Sequence, residues 1–320
     1  MKYRLTAVAA AICVAVFVCV SVEAAIAYEP AALALAAGGK TGDFNGDHVV
    51  DIVAQYDYGG TKTGLWVFVS NSYGVFDTRF EPQLWWYGTK YSAAISQIVV
   101  GEFNGDGVRD IVAQYDYGGT RTGLWVFASD GDSFHPQRWW YGTKYSAANS
   151  QITAADFDGN GIEDIVAQYN YGGTKTGLWV FVASGDGEFH PQLWWYGTKY
   201  SAANSQIVAG DFDGDGDNDV VAQYDYGGTK TGLWVFASNA LTGSWTFTPQ
   251  RWWYGTKYSA ANSQITAGDF NYDGMVDIGA QYNYGGTTTG MFIFWSKGYG
   301  FIPFRSWYGT KYSAARSQIG

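Results

Sequence analysis

One unit is written five times in this chain, and that repetition constrains the fold more than any single residue does. Gln-Tyr-(Asp/Asn)-Tyr-Gly-Gly-Thr starts at Gln55, Gln114, Gln168, Gln223 and Gln281. Trp-Tyr-Gly-Thr-Lys-Tyr-Ser-Ala-Ala starts at Trp86, Trp140, Trp195, Trp253 and Trp307. An acidic segment starts at Asp43, Glu102, Asp156, Asp211 and Asp269, so successive copies lie 59, 54, 55 and 58 residues apart. Units of this length cannot bury an apolar face alone and must stack on their neighbours. In the fourth copy, residues 205–212, 219–226, 232–238 and 247–253 read as strands A to D. They are β-branched and aromatic, with Gly, Asn and Asp between them. No segment after residue 27 shows helical periodicity. Four strands per tandem copy predict an all-β, five-bladed β-propeller of four-stranded blades, whereas a solenoid would use shorter repeats.

The two ends are read separately. Residues 1–27 carry Lys2 and Arg4, then an uncharged apolar run, then Ala-x-Ala sites ending at Ala24 and Ala27. That is the pattern of a secretory signal peptide, and the run is short for a membrane span. Residues 28–39 form an Ala/Gly-rich lead-in, and the repeats fill 40–320. The expected location is secreted or cell-surface. Cys13 and Cys19 both fall inside the signal, so the mature chain has no disulfide to stabilise it. The last residues, Ser317-Gln318-Ile319-Gly320, repeat the Ser-Gln-Ile that opens strand A at Ser96, Ser150, Ser205 and Ser263, while the first copy lacks it. Gln318 and Ile319 are therefore expected to pair onto blade one and close the ring, removing an exposed edge.

The net charge is −10, yet 18 of the 29 acidic residues fall in the five acidic loops. Oxygen side chains recur there at positions 1, 3, 5 and 9. The sets are Asp43, Asn45, Asp47, Asp51; Glu102, Asn104, Asp106, Asp110; Asp156, Asp158, Asn160, Asp164; Asp211, Asp213, Asp215, Asp219; and Asp269, Asn271, Asp273, Asp277. Alternate oxygens with a Gly turn suit a hard cation, and the lack of recurring Cys or His disfavours zinc. Up to five Ca²⁺ ions are expected, and five would bring the formal charge from −10 to about zero. One copy alone would also fit an Asx-rich turn with no ion, but five in register would hold mutually repelling acids. The fourth loop has the most acid and is expected to bind tightest, while His48 stands where other copies have Gly.

With the loops, the Phe after the first acid and the Asp-Ile-Val strand in view, the units resemble FG-GAP (VCBS-type) repeats, the calcium-bearing blades of integrin α-chain propellers and of many bacterial exported proteins. The resemblance implies that the acidic loops join strands A and B. It also implies a binding or adhesion role, with some lectins among relatives. It names no ligand.

In a propeller the A–B and C–D connections share one face, and the B–C and D–A connections share the other. The C–D connections differ in length and content between copies, whereas the B–C and D–A segments barely vary. Constant loops point to function, although blade-to-blade packing by buried Tyr and Trp would also keep them constant. Trp66, Trp125, Trp179 and Trp234 are expected in the core. Tyr58, Tyr117, Tyr171, Tyr226 and Tyr284, with Lys90, Lys144, Lys199, Lys257 and Lys311, are the candidate ligand contacts, and Tyr87, Tyr91 and Asp57 accompany them in the first copy. Aromatic rings beside Asp, Asn, Thr and Lys suit a glycan, and a cell-surface protein is the alternative partner. No catalytic residues are singled out, because chemistry needs one asymmetric constellation and His48, His135 and His190 are unrelated positions. Nucleic acid is not expected as a partner, for want of a basic stripe. A monomer is expected, with no membrane span once the signal is removed.

Overall fold

The computed structural model describes residues 40–72, 78–240, 243–317 and 319. The signal and the lead-in lie outside the described residues. The five copies form five antiparallel sheets, each in the order A-B-C-D. Blade one is Lys40–Gly42, Asp51–Asp57, Thr63–Ser72 and Thr78–Gly88. Blade two is Ser96–Gly101, Asp110–Asp116, Thr122–Ser129 and Phe134–Gly142. Blade three is Ser150–Ala155, Asp164–Gly172, Lys175–Ala183 and Phe189–Gly197. Blade four is Ser205–Gly210, Asp219–Asp225, Thr231–Ser238 and Phe247–Gly255. Blade five is Ser263–Gly268, Asp277–Gly285, Thr288–Ser296 and Phe301–Gly309. The architecture is the five-bladed β-propeller that the repeats predict, and only short 3-10 turns interrupt it.

Neighbouring strands A lie side by side at the centre. The Gln after the opening Ser ties each to the next: Gln97 Nε2 donates to the Ser150 carbonyl, Gln151 to Ser205 and Gln206 to Ser263, each at 2.7 Å. Strand B is nearly all buried because it has a blade on both sides. Its central Gln is buried too, and in blades two to five both ends of its amide are paired, whereas in blade one the buried Gln55 Oε1 has no hydrogen-bond partner among the described residues. Gln168 Nε2 donates to Tyr200 Oη, and Ser205 Oγ donates to Gln168 Oε1. This explains a constant Gln-Tyr-Ser set inside an apolar core: an unpaired buried amide would cost about 1–3 kcal/mol.

A β-bulge explains the consecutive tryptophans of strand D. In a regular strand, adjacent side chains point to opposite faces. In blade two the register shifts between Leu124 and Trp125, so that Trp140 pairs with Leu124 and Arg138 with Trp125, leaving Trp139 as the extra residue. Trp139 and Trp140 thereby both face blade three, against Phe189 at 5.3 Å and Phe181 at 4.8 Å. The same contacts join blades one and two through Trp85 and Trp86, and blades three and four through Trp194 and Trp195. The Phe of the first four acidic loops adds an edge contact to the next blade, as Phe44 to Phe134 and Phe157 to Phe247.

The junction of blade five with blade one departs from these four. Trp307 is 44% exposed, Phe270 is only half-buried, and Val50 and Tyr56 are 58% and 40% exposed, whereas at the other junctions the counterparts of Phe270 are buried and those of Trp307, Val50 and Tyr56 are half-buried or buried. Ser306 also stands where the other copies have the first Trp. Gln318 lies outside the described residues. The residues before Lys40 lie outside them too, so the expected pairing of Gln318 and Ile319 with blade one falls outside what is described; the backbone N–H of Ile319 donates to Gln264 Oε1 of blade five. What the C-terminus does is complete blade five: Ser317 Oγ donates to Gln281 Oε1, and Gln264 donates to the Ser317 carbonyl. Deleting residues 316–320 is predicted to lower stability by about 1–3 kcal/mol for each of the two amides, buried Gln281 and half-buried Gln264, left without its partner. A thermal melt unchanged by the deletion would contradict this.

Candidate functional site

Two constellations recur on every blade. The first is the acidic loop between strands A and B, which folds back on its own backbone. In blade one, Asp43 accepts the N–H groups of Gly46 and Asp47 on Oδ1 and of His48 on Oδ2. Asn45 accepts from Asp47, and Asp47 from Val49. The ninth-position Asp is fully buried and clasps the loop to strand C, with Asp51 accepting from Phe44 at 3.1 Å and from Ser70 at 2.7 Å. Asp110, Asp164, Asp219 and Asp277 repeat that clasp.

The loops sort by blade. Among the described residues, carboxylate oxygens of Asp156, Asp158 and Asp164 lie within 4.8 Å of one another, as do those of Asp211, Asp213 and Asp215. These all-oxygen clusters fit a hard divalent cation. The loops of blades one, two and five carry Asn at position 3 and form no such carboxylate group, although Asn45, Asn104 and Asn271 still offer an amide oxygen. Burial raises the carboxyl of Asp110 to about 7 and those of Asp164 and Asp219 to about 8, with neighbouring acids adding to the rise and backbone N–H groups opposing it. Asp213 is raised to about 6, again chiefly by burial. A cation among these groups would favour the ionised forms.

Two loop residues occupy glycine's backbone region. His48 has φ 65° at the sixth position and Tyr272 has φ 61° at the fourth, where Gly46, Gly105, Gly159 and Gly214 stand in the other copies. A side chain there costs about 1–2 kcal/mol. His48→Gly and Tyr272→Gly are each predicted to stabilise the protein by about 1 kcal/mol, after glycine's own entropic cost. Denaturant titration checks this, and a fall in the midpoint would refute it.

The second constellation lies on the other face, at the outer rim. The B–C and D–A connections of one blade are tied together: Thr61 Oγ1 donates to the Thr89 carbonyl, and the Tyr91 N–H to the Thr61 carbonyl. This places Tyr58 and Lys90 on neighbouring loops, both exposed. Tyr58 is 42% and Tyr87 47% exposed, and their rings meet edge to face at 5.4 Å. Tyr58 Oη accepts the indole N–H of Trp66 at 3.1 Å. The equivalents Tyr117, Tyr171 and Tyr226 each accept from Trp125, Trp179 and Trp234. These tryptophans are therefore half-buried supports of a surface cluster, which corrects their assignment to the core. Tyr284 keeps the ring contact, to Tyr308, but Phe292 stands at the tryptophan position of blade five.

Tyr91 is corrected in the opposite direction. It is buried, bonded through Oη to Gln55 Nε2, and packed on Tyr115 of blade two, so it is mortar between blades. Asp57 accepts the Gly59 N–H and shapes the turn, a task Asn170 performs equally for Gly172. The constant segments thus divide. Gln55, Ser96, Thr63 and Tyr91 and their equivalents hold the structure, while Tyr58, Tyr87 and Lys90 and their equivalents line a surface.

Sequence reasoning missed one member of the rim cluster. Arg138 stacks its guanidinium 4.8 Å from the Tyr141 centroid and 5.8 Å from that of Trp125. Arg251 repeats this over Tyr254 and Trp234, and Arg305 over Tyr308, while blades one and three have Leu84 and Leu193. The signal was the alternation of Arg and Leu before the Trp-Trp pair. Its meaning depends on the bulge, which turns this residue to the face opposite the tryptophans. A Cβ at Gly123 would stand 2.9 Å from the Tyr117 ring and 3.2 Å from Arg138 Cδ, so the glycine makes room for the cluster. The histidines do not converge: His135 pairs with Asp130 and His190 with Asp186, on exposed C–D connections of separate blades.

The FG-GAP-like repeat family matches residues 103–167 and 211–280. No curated protein sequence matches the chain. Among solved structures, the fold is similar to that of an Agrocybe aegerita lectin described as recognising non-reducing terminal N-acetylglucosamine. The TM-score is 0.50 and the identity 17%, over 83% of this chain and 79% of the lectin. It is also similar to the exotype rhamnogalacturonan lyase YesX, with a TM-score of 0.42 and 13% identity, over 82% of this chain and 56% of the lyase. Identities this low speak to the fold alone. Among the described residues, no helix is long and apolar enough to cross a membrane.

Proposed function

We propose that this chain, an FG-GAP repeat protein, is an exported, calcium-stabilised propeller that binds glycans at several equivalent rim sites. The observation that carries the reading is the exposed Tyr-Tyr pair repeated on the B–C/D–A face, with Tyr58, Tyr171, Tyr226 and Tyr284 each 40–44% exposed. A protein that needs its aromatics only for packing buries them, as this one buries Tyr91, Tyr145, Tyr200 and Tyr258. Exposed rings offer flat faces for the C–H surfaces of sugars. Lys90, Lys144, Lys199, Lys257 and Lys311 and the neighbouring threonines offer partners for hydroxyls. Repetition around one face turns weak single contacts into avidity for a repeating ligand. A lectin of similar fold supports the reading as a precedent on this scaffold.

Calcium would be held first by Asp156, Asp158 and Asp164 in blade three and by Asp211, Asp213 and Asp215 in blade four. Its part is structural: it neutralises carboxylates that the fold crowds together. The leader expected at residues 1–27 accords with export, where calcium is plentiful.

A second reading is a protein-binding adhesion module. It is favoured by the opposite face, where Trp245 and Tyr299 are exposed on C–D connections that differ from blade to blade. A glycan array run beside a pull-down of cell-surface proteins separates the two. Array binding in calcium supports the glycan reading, and protein capture without array binding overturns it.

A further inference from the structure

The net charge of −10 conceals two faces of opposite sign. The A–B loops hold 18 acids, and the C–D connections of blades two and three add Asp130, Asp132, Asp186 and Glu188. The other face and its rim are basic. The D–A connections carry the five lysines named above, the B–C connections carry Lys62, Arg121, Lys175 and Lys230, and the rim clusters carry Arg138, Arg251 and Arg305, all exposed. Only three acids, Asp57, Asp116 and Asp225, stand among these twelve bases, and each is engaged in a turn with a Gly N–H. None of the twelve forms an ion pair among the described residues. The absence of a basic stripe along the sequence was therefore misleading, because the bases are gathered only by the fold.

We propose that the rim clusters bind an acidic polysaccharide, with stacked Arg138, Arg251 and Arg305 taking the carboxylate of a uronate while the adjoining tyrosines take the ring. This rests on the glycan reading and names its ligand class. A guanidinium already lying on Tyr141 and Trp125 is pre-organised, so little freedom is lost when it forms a bidentate pair with a carboxylate. The lysines beyond it add long-range attraction without fixed geometry. Each blade carries two or three of these bases, with exposed tyrosines beside them. A carboxylated sugar would meet both kinds of group at once, its ring on a tyrosine and its carboxylate on a guanidinium.

The test uses the full protein in calcium buffer, with hyaluronan as the probe. The comparison ligands are its carboxyl methyl ester, neutral dextran and poly-dT. Hyaluronan is expected to bind, to weaken when salt rises from 50 to 300 mM, and to lose about tenfold or more in affinity in the R138M/R251M/R305M variant, as expected for a lost charge-assisted hydrogen bond. The methyl ester is expected to bind like that variant. Equal binding of hyaluronan and its ester, or of neutral dextran alone, would overturn the acidic-ligand inference while leaving the glycan reading intact. Binding of poly-dT as tight as hyaluronan would overturn it in favour of nucleic acid. Binding of none of these polymers, together with a blank neutral-glycan array, would remove both.

Discussion

Chelation with EDTA is expected to lower the melting temperature by about 10 °C or more. A ligand that binds only the native state stabilises it by about 2.7 kcal/mol per site at a hundredfold excess over its dissociation constant. Blades three and four alone would then supply about 5 kcal/mol, and 1 kcal/mol moves the melt by about 2–4 °C in a domain approaching this size. Asp158→Ala and Asp215→Ala should each remove part of that shift, because each takes one carboxylate from a group of three. The pH dependence has a definite sign. Asp110, Asp164 and Asp219 have folded-state values raised to about 7, 8 and 8. In the chelated protein, the stability they contribute is present below their unfolded value of 3.8 and is lost as pH rises through those folded values. A cation bound beside Asp164 would displace its proton, so the stabilising effect of that cation should grow over that window. A melt that ignores EDTA at pH 8 would refute structural calcium.

Much of this molecule was legible in its sequence because the repeat presents each pattern five times. The predicted strands of the fourth copy, 219–226 and 232–238, differ by one residue at one end from the observed Asp219–Asp225 and Thr231–Ser238. Asp and Gly mark these turns, and the alternation between them is clean. The clasp by Asp219 was visible only as a ninth-position acid, since its partner Ser238 lies 19 residues away. Among the four tyrosines of the constant segments, Tyr58 and Tyr91 could not be told apart by composition. Tyr91 is buried and Tyr58 exposed because one connection dives against Tyr115 while the other turns out through Gly59 and Gly60. Arg138 was missed for a similar reason. Its place beside Trp125 depends on a one-residue bulge, and a bulge reverses the side on which every later residue lies.

The central claim is that the exposed tyrosines of the rim are ligand contacts working together. Single Tyr→Ala changes at Tyr58, Tyr171, Tyr226 or Tyr284 remove rings that are less than fully buried, so each should cost less than the roughly 3–5 kcal/mol of a buried aromatic. Each should also lower avidity for a multivalent glycan while leaving the remaining sites unchanged. Replacing all five, Tyr117 included, goes furthest. The most direct measurement is binding of that five-fold variant and the parent protein to a surface bearing dense glycan, in calcium, alongside their melts. The account predicts that the variant loses surface binding entirely and keeps an EDTA-sensitive melt. Undiminished binding by a folded variant, or collapse of the fold after a single Tyr→Ala change, would contradict it.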